Sequence, residues 1–117
     1  MKYLPVKPTI SFSDLEKVDI RVGTIEKVTD VEKSDKLVKL LVDFGEFKRN
    51  IIVGLKKERE NAQEIVGKQA LFVVNLEPKK MMDEVSEGMI FDIGYANGIT
   101  PVLAVTEKPV PNGVNAG

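Results

Sequence analysis

The residues best suited to chemistry lie in one run: Asn75-Leu76-Glu77-Pro78-Lys79-Lys80-Met81-Met82-Asp83-Glu84-Val85-Ser86-Glu87-Gly88-Met89. The run joins two apolar stretches, residues 70–74 and 89–91. A hydrophobic core has no use for adjacent lysines and a serine at such a place. Ammonium groups can hold phosphate, because Lys acts as a mobile point charge. Lys79 and Lys80, directly after Pro78, predict a compact positive site. Ser86 is read either as a donor to a phosphate or a ribose hydroxyl, or as a turn residue that bonds its own backbone. Met89 lines a groove edge or packs at the start of a strand. Asn75, at the end of an apolar strand, is expected to hold the connection through backbone hydrogen bonds.

Other chemistry is thinner. Asp83, Glu84 and Glu87 share the run and could offer oxygen ligands to a hard cation such as Mg²⁺. The chain has no His and no Cys. Ser–His triads, His-based proton relays and Cys or His zinc sites are therefore excluded. No activated nucleophile and no nucleotide-binding glycine loop stands out. The expectation is a protein that is not an enzyme, with no cofactor and no metal.

Charge supports an anion-binding reading through its distribution. The formal net charge is −1 over 117 residues, but residues 33–59 carry eight basic and four acidic side chains. Residues 60–117 reverse the balance, with four basic and eight acidic. A polarised molecule steers an anion by its local field despite a neutral total. Lys33 and Lys36 flank Ser34-Asp35 at the basic end, just before an apolar strand. No apolar run approaches the ~20 residues of a membrane span, and the N-terminus lacks the apolar stretch of a secretion signal. With no Cys, the expected compartment is a reducing cytoplasm.

These residues need elements to position them. Residues 1–11, with Pro5 and Pro8, read as an extended N-terminal arm, and residues 12–117 as one domain. Ser13 and Glu16 have capping-box spacing and predict a helical turn. Val18-Asp19-Ile20-Arg21-Val22 alternates as a half-buried strand, with Arg21 pointing outward. Gly23 interrupts it and predicts a bulge or sharp bend. Thr29 to Asp35 reads as a polar loop. Residues 37–44 and 47–53 form a hairpin around Gly45-Glu46. Asn61 caps a short helix closed by Gly67. Residues 68–75 form a buried fourth strand and residues 89–95 a fifth. Asn97-Gly98 predicts a two-residue hairpin turn, and residues 102–105 a sixth, edge strand. Phe44, Phe47, Phe72 and Phe91 fall in apolar patterns, and only Tyr3 and Tyr95 are expected at the surface. An all-β chain of this kind, with a helix between strands 3 and 4, describes the OB-fold, a five-stranded Greek-key barrel, here with extra terminal strand segments. An SH3-like barrel is the nearest competitor.

Six motifs then fall in register. Asp19-Ile20-Arg21-Val22-Gly23, Ser34-Asp35-Lys36-Leu37, Val53-Gly54, Gly67-Lys68, Val74-Asn75-Leu76 and Ser86-Glu87-Gly88-Met89 resemble the tRNA-binding domain family over roughly residues 12–113. That family includes stand-alone tRNA-binding proteins, the C-terminal domain of many methionyl-tRNA synthetases and EMAP-II-like domains, with the CsaA export chaperone as a sibling branch. The resemblance implies tRNA as partner, a homodimer joined by terminal segments, and a possible association with an aminoacyl-tRNA synthetase. Together with the reading of the residues, it gives RNA contact as the expectation for Lys33, Lys36, Lys79, Lys80, Ser86 and Met89, and structural support for Gly23, Asn75 and Gly88. Family members often carry Arg-Gly where this chain has Met82-Asp83, and Asp83 is expected to supply the left-handed backbone in place of the Gly. Chaperone-type members carry a polar stretch after the third strand, where this chain has Ile51-Ile52-Val53-Gly54-Leu55.

Overall fold

The strict alternation of Val38, Leu40 and Val42 produces β2 (Val38–Asp43), in which all three side chains are fully buried. The computed structural model describes all of residues 1–117. β2 sits between β1 (Ile20–Asp30) and β3 (Lys48–Val53), antiparallel to both. A 3₁₀ turn over Ala62–Ile65 follows, and Asn61 caps it by accepting from the Gln63 amide. Next come β4 (Gln69–Val73), a hairpin of β5 (Lys79–Met81) and β6 (Glu84–Ser86), then β7 (Met89–Ile90), β8 (Asp92–Ile93) and β9 (Val102–Leu103). The main sheet has the order β3-β2-β1-β4-β7.

β1 is long because it serves two neighbours. Its first half pairs with β4, from Ile20↔Val73 to Thr24↔Gln69, and its second half with β2, from Thr24↔Asp43 to Asp30↔Val38. The sheet curls there, and β3 comes round to meet the segment after β6, where the Glu87 amide donates to Asn50 O at 2.9 Å. The result is an OB-like barrel. Its interior holds Ile25, Leu40, Phe44, Ile51, Phe72 and Ile90. Such a core is what stabilises the fold, at about 1.5–3 kcal/mol for each large side chain fully buried.

Several local expectations are corrected. The first helical turn, α1 (Phe12–Leu15), is capped by Ser11 and not Ser13, with Ser11 Oγ accepting from the Asp14 amide at 3.1 Å. β1 runs on through Thr29 and Asp30, which the sequence assigns to a loop. The register shift against β2 lies between Ile25 and Lys27, not at Gly23. Gly23 is needed for space: a Cβ there would stand 2.5 Å from Val42 Cγ1 and 2.8 Å from Phe44 Cε1. The fifth strand is broken at Phe91 into β7 and β8. Asn97-Gly98 is not a two-residue turn, because Tyr95–Asn97 forms a 3₁₀ turn between left-handed Gly94 and Gly98.

Candidate nucleic-acid interface

The run at residues 75–89 is not a featureless loop. Its centre is the β5–β6 hairpin, with Lys79↔Ser86, Lys80↔Val85 and Met81↔Glu84 facing across it. Met82 carries the left-handed backbone of the turn, at φ 56°, and Asp83 does not. Alternation along β5 sends successive side chains to opposite faces. Lys79 and Met81 line a cleft on one side, while Lys80 is exposed on the other. The two lysines therefore flank the hairpin instead of forming one compact positive site.

Both ends of the run are fastened to the barrel. Ser86 is only 4% exposed; its Oγ accepts from the Ile52 amide at 3.0 Å and donates to Gly88 O at 3.0 Å. Glu87 Oε1 accepts from the Asn50 amide at 2.9 Å. These side chains join the backbone bond from Glu87 N to Asn50 O along β3, so the barrel closes through Ser86 and Glu87. Arg49 reinforces the seam by donating to Val74 O (3.1 Å) and Glu87 O (2.9 Å), with its guanidinium 4.9 Å from the Phe47 ring centre. Gly88 allows the close approach, since a Cβ would lie 2.6 Å from Val73 O. Asn75 ties β4 to the entry of β1: its Oδ1 accepts from the Asp19 amide (2.8 Å) and its Nδ2 donates to Lys17 O (2.7 Å).

Two clefts flank the hairpin, with Met81 as their shared wall. The first, of about 570 Å³, is lined by Ile52, Leu76, Glu77, Lys79, Met81 and Met89, with Ser86 at its floor. The second, of about 500 Å³, is lined by Lys36, Leu37, Glu58, Met82, Asp92 and Tyr95. The structure thus brings Lys79 and Met89 together, and sets Lys36 across Met81 from them. Leu76, Glu77, Glu58 and Asp92 line the clefts without a role assigned to them from sequence. The alternation of Lys79 and Met81 is the signal that would have found the first cleft.

The basic stretch at residues 33–59 is mostly neutralised within the molecule. Lys39 pairs with Glu84 (3.2 Å), Lys48 with Glu26 (3.0 Å), Lys56 with Asp30 (3.7 Å), Lys57 with Asp35 (3.2 Å) and Arg59 with Glu64 (2.6 Å). Hydrogen bonding to Glu26 raises the Lys48 pKa, bonding to Asp19 raises that of Arg21, and bonding from Lys57 lowers that of Asp35. Lys33, Lys36, Lys79 and Lys80 have no carboxylate partner in any ion pair and lie at the surface. Of the three carboxylates expected to cluster, Glu84 is turned to Lys39 and Glu87 to Asn50. No group of three such side chains converges anywhere on a cation site.

A family model described as "Putative tRNA binding domain" matches residues 20–115. The chain belongs to the tRNA-binding domain family. Among solved structures it is similar to a MetRS related protein from Pyrococcus horikoshii, at 31% identity and a TM-score of 0.87, covering 95% of this chain and all of that one. It is also similar to the chaperone CsaA from Bacillus anthracis, at 25% identity and a TM-score of 0.79, covering 94% of this chain and all of that one. The C-terminal domain of Plasmodium vivax p43 matches at 27% identity and a TM-score of 0.79, covering 87% of this chain and 61% of that one.

Within this family frame the aromatic side chains are informative. Phe44 and Phe72 are buried, and Phe47 packs against the same core. Tyr3 and Tyr95 are exposed as expected, and Phe12 joins them, which the sequence reading missed. Of these rings only Tyr95 lines a cleft beside the hairpin. The tRNA-binding domain here offers charge and thioether surface around the hairpin, and few stacking platforms.

Proposed function

We propose that this chain is a non-catalytic, cytoplasmic tRNA-binding protein that holds folded tRNA by its shape and backbone charge. The observation that supports this best is the placement, at two loops, of four lysines that join no ion pair: Lys33 and Lys36 before β2, and Lys79 and Lys80 on the β5–β6 hairpin. In OB-folds the loops at these two places flank the ligand face. Phosphate contacts position RNA without reading its sequence. The greater likeness to the MetRS related protein than to CsaA, 31% against 25% and 27% identity, favours a separately encoded subunit that works with an aminoacyl-tRNA synthetase. The uncovered apolar residues near the N-terminus support a homodimer, with two barrels presenting their lysines to one tRNA.

A second reading is a CsaA-like chaperone for unfolded polypeptide. It is favoured by that same apolar surface, with Val6 98% and Phe12 84% exposed.

Titrating tRNA at two salt concentrations decides between them. The tRNA reading expects log K to fall linearly with log salt, by about 0.7–0.9 for each phosphate neutralised. Replacing Lys79 and Lys80 together by Ala should weaken all tRNAs alike and reduce the slope by about 2. No binding at low salt, or binding indifferent to salt, overturns the reading. If the protein also suppresses aggregation of a denatured client, the chaperone takes its place.

A further inference from the structure

The first cleft has a lining that phosphate contact alone does not use. Its walls are Ile52, Leu76, Met81 and Met89, and its charged groups are one ammonium, Lys79, and one carboxylate, Glu77. At about 570 Å³ it falls in the ~300–1,000 Å³ range of small-ligand sites. Thioethers are polarisable and make favourable contacts with aromatic rings. Neither Lys79 nor Glu77 is spent on an ion pair within the molecule. The seam through Ser86 and Arg49 fixes the cleft's base on β3.

We propose that this cleft takes a single unpaired nucleobase bearing an exocyclic amino group, with its phosphate on Lys79. The charge pattern argues for this occupant. An unpaired nucleotide offers an anion, a π-face and an N–H donor edge, and the cleft offers a cation, an apolar slot and a carboxylate. Carboxylates accept from base amino groups, as Glu or Asp does from cytosine N4. An apolar peptide side chain would fill the slot and leave both charges unused. The inference deepens the tRNA reading, because unpaired nucleotides are where RNA exposes unstacked bases to protein side chains.

Methyl NMR on protein carrying ¹³C-methyl methionine provides the test. The probes are 5′-phosphorylated tricytidylate, triuridylate, an abasic trinucleotide with the same phosphates, an apolar tripeptide, and whole tRNA. Tricytidylate should move the Met81 and Met89 methyl signals upfield through ring current and leave Met1 still. Triuridylate, which lacks the amino group, should bind several-fold more weakly. Leu76→Glu, at an exposed position, should cut tricytidylate affinity about tenfold or more, the usual effect of losing one base contact. Glu77→Gln should erase the cytidine–uridine difference with the fold intact. The proposal is overturned if the abasic probe gives the same shifts, or if only the tripeptide does. It is also overturned, with the tRNA reading still standing, if tRNA binds while no trinucleotide moves these methyls. Trinucleotide shifts without tRNA binding would uphold the cleft and remove the tRNA reading.

Discussion

Ser86 was open to two roles from sequence, a donor to RNA or a turn residue. Its surroundings favour the structural one. The hydroxyl both accepts from Ile52 N and donates to Gly88 O, and a buried hydroxyl has little further capacity. Ser86→Ala would leave the Ile52 amide without its acceptor, and an unsatisfied buried donor costs about 1–3 kcal/mol. Thermal unfolding should show that loss, while the affinity of the folded protein for tRNA stays at its wild-type value. Weaker tRNA binding with unchanged stability would return Ser86 to direct contact with RNA. The reason the sequence leaves this open is physical. Ser-Glu-Gly-Met names a motif, but only the curl of the sheet decides whether its hydroxyl meets β3 or solvent.

At the scale of elements, the strands were legible where one face is buried. Val38, Leu40 and Val42 alternate because β2 has a core side and a solvent side, and period 2 follows directly. The clefts were not legible, since they arise from a hairpin folding over β3 and from the loop after β3 meeting β8. That second junction has its own signature. Glu58, after β3, adjoins Asp92 of β8, and Glu58 Oε2, Asp92 Oδ1 and Arg59 Nε are buried without a protein partner. Burial raises the pKa of both carboxyls; the charge of Asp92 raises Glu58 further, and Arg59 opposes the shift in each. Lys36 and Tyr95 face the same cleft. The folded state therefore binds protons more tightly than the unfolded chain, whose carboxyls titrate near 3.8 and 4.5. Stability from this pair is fully present below that range and falls as pH rises through the raised folded values. Melting scans from pH 4 upward should show the decline, and Asp92→Asn should flatten it and raise the melting temperature at neutral pH. An unchanged profile in the variant would remove the pair as its cause.

The whole molecule poses a different problem, because its first 18 residues cover nothing. Every one of them is exposed, and Tyr3, Val6, Ile10, Phe12 and Leu15 present apolar surface to solvent. The arm is tied back by a reciprocal pair, Lys2 N to Asn97 O and Asn97 Nδ2 to Lys2 O, both 2.8 Å. Its reach shows in a radius of gyration of 14.6 Å, against roughly 13 Å for a compact domain of this length. So many uncovered apolar side chains on one segment are a surface in need of a partner. A second copy of the chain is the occupant the tRNA reading calls for, since two lysine sets held together gain avidity from one tRNA. Sedimentation should give twice the 13.0 kDa chain mass. Val6→Asp with Phe12→Asp should yield a folded monomer, because neither side chain contributes to the barrel core. That monomer should bind tRNA more weakly than the parent even though all four lysines remain. A parent that sediments as a monomer would remove the dimer, and a monomeric variant with undiminished affinity would place the whole tRNA contact on one barrel.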